Sequence, residues 1–175
     1  MLVLVVGPSG AGKDSLLNAA RQAFRADARV TFARRIITRP ADPDGEAHEP
    51  VTEAEFEARN FALSWSAHGL RYGIPAETVR NSPVVVANVS RAAIAEAAAR
   101  WPVRVIEVTA SPATLAARLA VRGRESAEDV ARRLERTVSI PDSVTVETVW
   151  NDGTLAEAVE RFVAVLRRAV DQAGA

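Results

Sequence analysis

The sequence predicts an α/β fold with a mostly parallel sheet flanked by helices, and two observations lead to it. Apolar runs of strand length alternate with helical patterns along most of the chain, which is typical of parallel strands joined by crossover helices. The first apolar run, 2–6, enters a glycine-rich turn that opens a helix. At 175 residues the chain can bury one core, so we expect a single domain over residues 1–175.

Each element is predicted from its local pattern. Runs rich in valine and isoleucine indicate strands at 2–6, 30–37, 83–89, 103–109 and 144–149. Apolar residues at helical spacing indicate helices at about 14–24, 112–121 and 155–170, with further helices after Ser90 and from Ser126. Ser90 is a suitable N-cap, and Pro112 suits the first turn of its helix.

Two stretches fit no layer of this sheet. Thr38–Pro75 is polar, broken by Pro and Gly, and holds both histidines and the only tyrosine, whereas Arg122–Ser126 is short and rich in arginine. Open α/β sheets bind ligands at the carboxyl ends of their strands, so we expect both stretches to lie there as appendages.

The turn after the first strand has the composition of a phosphate loop. Its nine residues are Gly7, Pro8, Ser9, Gly10, Ala11, Gly12, Lys13, Asp14 and Ser15. Glycines let successive N–H groups face one anion, and the helix that follows adds its dipole. Lys13 is the single lysine among 22 basic residues, which favours a task that needs a compact ammonium on a flexible stem. The order G-x-x-G-x-G followed by lysine disfavours a dinucleotide site, so we predict a nucleoside triphosphate site and a P-loop NTPase fold.

The loop departs from its pattern at Asp14, where Ser or Thr would normally place a hydroxyl on Mg²⁺. A carboxylate is a strong ligand for a hard cation, so Asp14 is a candidate magnesium ligand, directly or through water. The alternative is that Asp14 only favours the positive end of its helix, with Ser15 or water serving the metal. The sequence leaves both readings open.

Composition excludes several other classes of function. The formal net charge is zero and the arginines are scattered, so nothing indicates a nucleic-acid or membrane surface. The absence of cysteine excludes disulfides and thiolate metal sites and is compatible with the cytoplasm. The first residues read as a core strand rather than a targeting segment, and the sequence does not indicate an oligomeric state.

An ordered set of motifs resembles the guanylate kinase superfamily from Leu2 to about Leu166. The set is GPSGAGKDS, ITRP followed by GE, WSAHGLRYGIP, NVSR and LAARLAVRGRES with a later RRL. Within the superfamily it is most similar to the ribose 1,5-bisphosphate phosphokinases of bacterial phosphonate breakdown. The resemblance implies an ATP- and Mg²⁺-dependent kinase that makes 5-phosphoribosyl 1-diphosphate from a small phosphorylated sugar. It also implies that 38–75 binds the acceptor and that 122–126 is the lid.

Differences from guanylate kinases bear on the acceptor. Those enzymes read guanine with a serine, a glutamate and an acidic pair at positions that match Arg35, Ser64, Asn88 and Ser90 here. Ser64 cannot accept two hydrogen bonds from a guanine edge as a carboxylate does, and a site without such groups loses its selectivity for the base. Arg35 and Arg91 instead suit an acceptor rich in phosphate. The Glu57–Phe61 segment is shorter than in relatives, which could loosen the wall of the acceptor pocket.

The resemblance also implies roles for single residues. The transition state of phosphoryl transfer is stabilised mainly by cations, and the candidates are Lys13, Arg118, Arg122 and Arg133. Acceptor binding is expected from Arg35, Arg39, Tyr72, Ser90 and Arg91. Asn151 is a candidate adenine contact or a simple turn residue. We expect His48 to be a solvated loop histidine. His68 is a candidate proton shuttle or acceptor contact, a role that we do not favour because kinases of this type need little base catalysis.

Two alternatives remain at this point. The first is a guanylate or other nucleoside monophosphate kinase, which the missing base-reading groups disfavour. The second is a regulator that binds ATP without turnover, which the arginines matching the lid disfavour because a sensor needs no charge aimed at a leaving phosphate.

Overall fold

The computed structural model describes residues 1–40, 48–122 and 139–173. Within these residues, five strands form a parallel sheet, which confirms the predicted fold class: β1 (Leu2–Val6), β2 (Val30–Phe32), β7 (Val84–Asn88), β8 (Val103–Thr109) and β9 (Thr145–Trp150). Their order across the sheet is β2-β7-β1-β8-β9. The strand that leads into the phosphate loop is therefore the central one.

Both faces of the central part of this sheet are buried, which explains why β1 and β7 are apolar without alternation. Val3 and Val5 face a core shared with helices α1 (Lys13–Ala23) and α6 (Leu155–Ala173). Leu2 and Leu4 face the opposite core. The other α-helices that the described residues form are α2 (Glu53–Glu57), α3 (Ala76–Arg80), α4 (Ile94–Arg100) and α5 (Pro112–Arg122).

The predicted strand 30–37 is wrong as a single element. Val30–Phe32 pairs with β7, whereas β3 (Ile36–Ile37) belongs to a second, four-stranded sheet of order β4-β3-β6-β5. The remaining strands of that sheet are β4 (Glu49–Pro50), β5 (Phe61–Ala67) and β6 (Leu70–Pro75). The apolar run thus crosses from one sheet to the other through Ala33–Arg35.

Most of the stretch that fitted no layer forms this second sheet. Leu63 of β5 and Ile74 of β6 pack into the core on one face of the main sheet, together with Ile94 of α4. The short segment between α2 and β5 is compact, because Phe56 and Phe61 stack with their ring centroids 4.3 Å apart. None of the helices in the described part of the chain is long and apolar enough to cross a membrane.

Candidate active site

The phosphate loop lies at the carboxyl end of the central strand and depends on backbone conformations that favour glycine. Gly7, Gly10 and Gly12 have φ angles of 143°, 82° and 88°. A Cβ on Gly7 would lie 1.9 Å from the carbonyl oxygen of Val108, so β8 backs directly onto the loop. Glycine is therefore required at Gly7 both by conformation and by space.

Lys13 begins α1 and folds its side chain back over the loop. Its Nζ donates to the carbonyl oxygens of Gly7, at 2.8 Å, and of Pro8, at 2.9 Å. These bonds hold the ammonium at the mouth of the loop, where the backbone N–H groups of a curled turn would face an anion. This position is suited to stabilising the oxygens of a bound polyphosphate.

Two side chains support the loop from below. Asn151, 3% exposed, follows β9 and donates from Nδ2 to the Ala11 carbonyl at 2.8 Å. The same amide nitrogen lies 2.5 Å from where a Cβ on Gly12 would stand. Arg118 of α5 donates to the carbonyl oxygens of Gly10, at 3.3 Å, and of Asn151, at 2.9 Å. The structure thus brings Arg118 and Asn151 to the loop, in contact with its carbonyl groups.

Asp14 lies beside the end of the neighbouring strand. The Nδ2 of Asn88, the last residue of β7, donates to Asp14 Oδ1 at 3.2 Å. Asp14 itself is exposed, whereas Asn88 is buried. The described residues contain no group of three or more His, Cys, Asp or Glu side chains that could hold a metal. Mg²⁺ characteristically binds one or two protein carboxylates and keeps several waters, so Asp14 alone is compatible with such a site.

The second sheet presents a stack of planar groups. The Arg35 guanidinium lies 5.4 Å from the ring centroid of Tyr72, and Trp65 stacks on Tyr72 with centroids 5.5 Å apart and planes 6° from parallel. Trp65 and Tyr72 face each other across the pairing of β5 and β6. The position of Tyr72 was predicted, whereas the contribution of Trp65 was missed because cross-strand register cannot be read from one strand.

Arg35 lies within electrostatic range of both halves of the site. Burial lowers the pKa of its guanidinium below the ordinary value, an effect that the Asp14 carboxylate opposes and the Arg39 cation adds to. Arg35 is therefore a partly desolvated cation between the phosphate loop and Arg39. Cations that are desolvated and close together are stabilised by an anionic ligand, so their position is a candidate phosphate site.

Two of the other acceptor candidates have structural partners. Ser90 accepts a hydrogen bond from the Ala92 backbone N–H at 3.3 Å and caps a short 3₁₀ turn, Arg91–Ala93, rather than the α-helix itself. Arg91 forms an ion pair with Glu107 of β8. Ser64 is exposed on β5.

The prediction for one histidine is wrong. His48 is 4% exposed rather than solvated, because Arg34 Nη2 donates to its carbonyl oxygen at 2.8 Å and its ring Nε2 lies 3.1 Å from the Arg39 carbonyl oxygen. His68, by contrast, is exposed in the two-residue turn between β5 and β6. His68 and Gly69 both have positive φ, 55° and 70°, as a type I′ hairpin turn requires.

The predicted lid lies largely outside the described residues. Arg122 is the last residue of α5, and its side chain, Arg133 and the helix predicted from Ser126 are not among the described groups. Their assignments stay predictions.

The comparisons with known proteins agree with this geometry. The chain is 51% identical over 173 residues to the ribose 1,5-bisphosphate phosphokinase PhnN of Acidiphilium cryptum, a match that covers 97% of this chain and 94% of that protein. It is 51% identical over 173 residues to the bifunctional ribose 1,5-bisphosphokinase-thymidine phosphorylase of Cupriavidus pinatubonensis, covering 94% of this chain but only 29% of that longer protein. No family model matches the chain.

A solved structure supports the fold independently. The guanylate kinase of Anaplasma phagocytophilum superposes with a TM-score of 0.62 at 16% identity, covering 97% of this chain and 85% of that one. An identity of 16% supports only a shared fold, whereas the 51% identity along nearly all of the Acidiphilium cryptum protein shows membership of its family. The chain belongs to the ribose 1,5-bisphosphate phosphokinase family.

Proposed function

We propose that this chain is an ATP-dependent, magnesium-requiring kinase acting on ribose 1,5-bisphosphate. It transfers the γ-phosphoryl group of ATP to the 1-phosphate of the sugar and releases ADP and 5-phosphoribosyl 1-diphosphate. Residues 1–175 form one kinase domain, in which 38–75 binds the acceptor and 122–126 belongs to the lid. The cytoplasm, which supplies ATP, is the compartment that fits this reaction.

The observation that carries the proposal is the position of Arg35. Arg35 packs over Tyr72 of the second sheet, and its pKa is influenced by the Asp14 carboxylate at the phosphate loop and by the Arg39 cation, so it is near groups of both the donor and the acceptor side. A donor phosphate on the loop and an acceptor phosphate near Arg35 would therefore be neighbours. Such proximity replaces an encounter of two anions in solution with a held geometry, and it supplies much of the catalysis in phosphoryl transfer.

The reaction needs charge stabilisation more than proton transfer. An oxygen of the acceptor 1-phosphate forms the new bond to the γ-phosphorus, and the bond from that phosphorus to the β–γ bridging oxygen breaks. The attacking oxygen is already anionic near neutral pH, so no general base is required. Lys13, held over the loop by Gly7 and Pro8, is placed to stabilise charge on the transferred and bridging oxygens.

Magnesium suits the oxygen donors beside the loop. The Asp14 carboxylate is exposed at the first turn of α1 and is oriented by Asn88, which makes it the best candidate ligand among the described residues. When bound, the ion would neutralise phosphate charge and orient the β- and γ-oxygens. The contact with Asn88 adds an orienting partner that a simple helix cap would not need.

A sugar phosphate fits the acceptor side better than a nucleotide. Position 64 is a serine and not a carboxylate that could accept hydrogen bonds from a base. The group that packs over the Tyr72 ring is the Arg35 guanidinium, which is a cation and donates hydrogen bonds. For the remaining residues we propose acceptor contacts by Arg39, Tyr72, Ser90 and Arg91, phosphate contacts by Arg118, Arg122 and Arg133, and a donor-side role for Asn151. Arg91 would act from its ion pair with Glu107.

A coupled assay of ADP release with ribose 1,5-bisphosphate and GMP side by side tests the proposal. We expect kcat/KM for the sugar phosphate to exceed that for GMP by on the order of 100-fold or more, the scale set by one or two lost buried pairings with the base. The product is identified by its consumption in a phosphoribosyl transfer reaction. Comparable kcat/KM values for the two acceptors would contradict the proposal and favour a nucleoside monophosphate kinase.

A further inference from the structure

His48 is a buried imidazole for which the proposed reaction has no use. A carbonyl oxygen can only accept, so the contact at 3.1 Å makes His48 Nε2 the donor and Arg39 the acceptor. His48 is the residue before β4, and Arg39 lies two residues after β3, so the hydrogen bond connects the ends of these two strands. It closes the chain on either side of residues 41–47.

The backbone around His48 is fixed from the other direction. Arg34 Nη2 donates to the His48 carbonyl at 2.8 Å, and the Glu49 N–H donates to the Arg35 carbonyl at 2.8 Å. Thr38, immediately before Arg39, is fastened to β6, because its N–H donates to the Arg71 carbonyl and its hydroxyl accepts from the Arg71 N–H at 2.9 Å. Arg39 thus follows a segment that is hydrogen-bonded to β6, and the Arg39 carbonyl oxygen accepts a hydrogen bond from the His48 ring.

Arg39 has a reason to need this support. Its Nε is buried without a hydrogen-bond partner, and its charge lies near enough to Arg35 to contribute to the lowered pKa of that group. A half-buried guanidinium beside a second cation is in an unfavourable position, so its placement depends on a backbone that is held in place. An acceptor phosphate would supply a hydrogen-bond partner for this Nε and a charge opposite to that of both arginines.

We propose that His48 is a positioning residue for acceptor binding, which fixes the Arg39 backbone so that its guanidinium faces the acceptor phosphate. The inference rests on the proposed role of Arg39. His48 itself touches no reacting atom, and its effect should appear in the affinity for ribose 1,5-bisphosphate rather than in the affinity for ATP.

A series of substitutions that varies the hydrogen-bond donor at position 48 tests this. His48→Gln can place an amide N–H close to the Nε2 position, His48→Asn carries the same group one bond short, and His48→Leu has none. We expect KM for ribose 1,5-bisphosphate to rise in the order Gln, Asn, Leu, by about tenfold for Leu, with KM for ATP near wild type. Should His48→Leu fail to fold, the comparison of Gln with Asn still decides. His68→Asn is the matched control, because it removes the other histidine and suits a positive φ.

Arg39→Gln separates failure of this inference from failure of the proposed role of Arg39. If Arg39→Gln raises KM for the sugar phosphate and the His48 series does not, His48 is only a packing residue. If Arg39→Gln also leaves KM for the sugar phosphate unchanged, the proposed role of Arg39 is wrong, and so is the inference about His48. A double variant, His48→Leu with Arg39→Gln, should be no worse than Arg39→Gln alone, and additive losses would overturn the coupling.

Discussion

The donor and acceptor sides of the site are built in different ways. The donor cradle is one continuous stretch, 7–15, whose form depends on glycine conformations and on a lysine that folds back onto its own loop. The acceptor face is assembled from β3, β4, β5 and β6, so its planar stack and its buried histidine depend on pairing between distant segments. A local geometry can be read from a motif, whereas an assembled one requires the register of the strands.

The largest expected effect belongs to the donor side. Lys13→Ala should lower kcat by on the order of 10² or more with the fold intact, because the ammonium acts on the transferring phosphoryl group. Steady-state kinetics at saturating ATP, with a thermal melt of each variant, make the measurement. Lys13→Arg should also fail, because a planar guanidinium does not fit where Nζ bonds to the Gly7 and Pro8 carbonyls. An active Lys13→Arg enzyme would contradict the importance of a compact charge.

The sequence predicted the donor side well because its signals are local. The strand before the loop, the glycines and the helix start at Lys13 follow from residue types that allow few backbone conformations. Asn151 was predicted to be either an adenine contact or a turn residue, since nothing in one strand indicates that its amide donates to the Ala11 carbonyl. The prediction of a single strand over 30–37 was wrong because apolar composition does not reveal a change of sheet at Ala33–Arg35.

The acceptor side should respond in KM rather than in kcat. Arg35→Gln keeps a planar amide over Tyr72 but removes the charge, so we expect KM for ribose 1,5-bisphosphate to rise about tenfold or more, the scale of a charge-assisted contact to phosphate. KM for ATP should stay near wild type. Arg80→Gln, at the exposed end of α3, is the control for loss of an arginine. Equal rises in both KM values would mean that the two sides are not separable at Arg35.

The boundary between the sides lies at Asp14. If Asp14 holds magnesium, Asp14→Ala should raise the magnesium concentration for half-maximal activity, and Asp14→Ser should retain more activity than Asp14→Ala. Because Asn88 donates to Asp14, the exchange Asp14→Ser with Asn88→Asp returns a carboxylate to the same place and should restore part of the metal affinity.

Magnesium titrations at saturating ATP, together with magnesium binding to the ATP complex measured without the acceptor, distinguish the two readings of Asp14. A residue that only caps its helix would contribute about 0.3–1 kcal/mol of stability and leave both titrations unchanged. Identical curves for wild type and Asp14→Ala would therefore assign Asp14 to the helix alone.

The smallest expected effect comes from a helix-capping motif that occurs both in the acceptor region and in the main core. Thr52 and Glu55 begin α2 of the acceptor region with a capping box, and Thr154 and Glu157 repeat its hydrogen bonds at the start of α6 in the core. In each box the Thr backbone N–H donates to the glutamate carboxylate, at 2.7 Å and 3.0 Å respectively. These bonds lower the pKa of Glu55 and of Glu157 below the ordinary value. The stabilisation is therefore present above the ordinary glutamate pKa and is lost as the pH falls through the lowered one.

Replacing each threonine by alanine then asks whether the two regions unfold together. Loss of a threonine cap costs about 0.5–2 kcal/mol of the free energy of unfolding. Thr154→Ala should show this cost in global denaturation, because α6 packs Phe162 and Leu166 into the main core. Thr52→Ala should lower the protection of α2 amides from hydrogen exchange more than it lowers the thermal midpoint, because a five-residue helix beside a separate sheet can open locally. Equal losses in the free energy of global unfolding from both substitutions would show that the acceptor sheet and the core form one cooperative unit. The two would then differ only in whether their structure follows from local or from long-range sequence patterns.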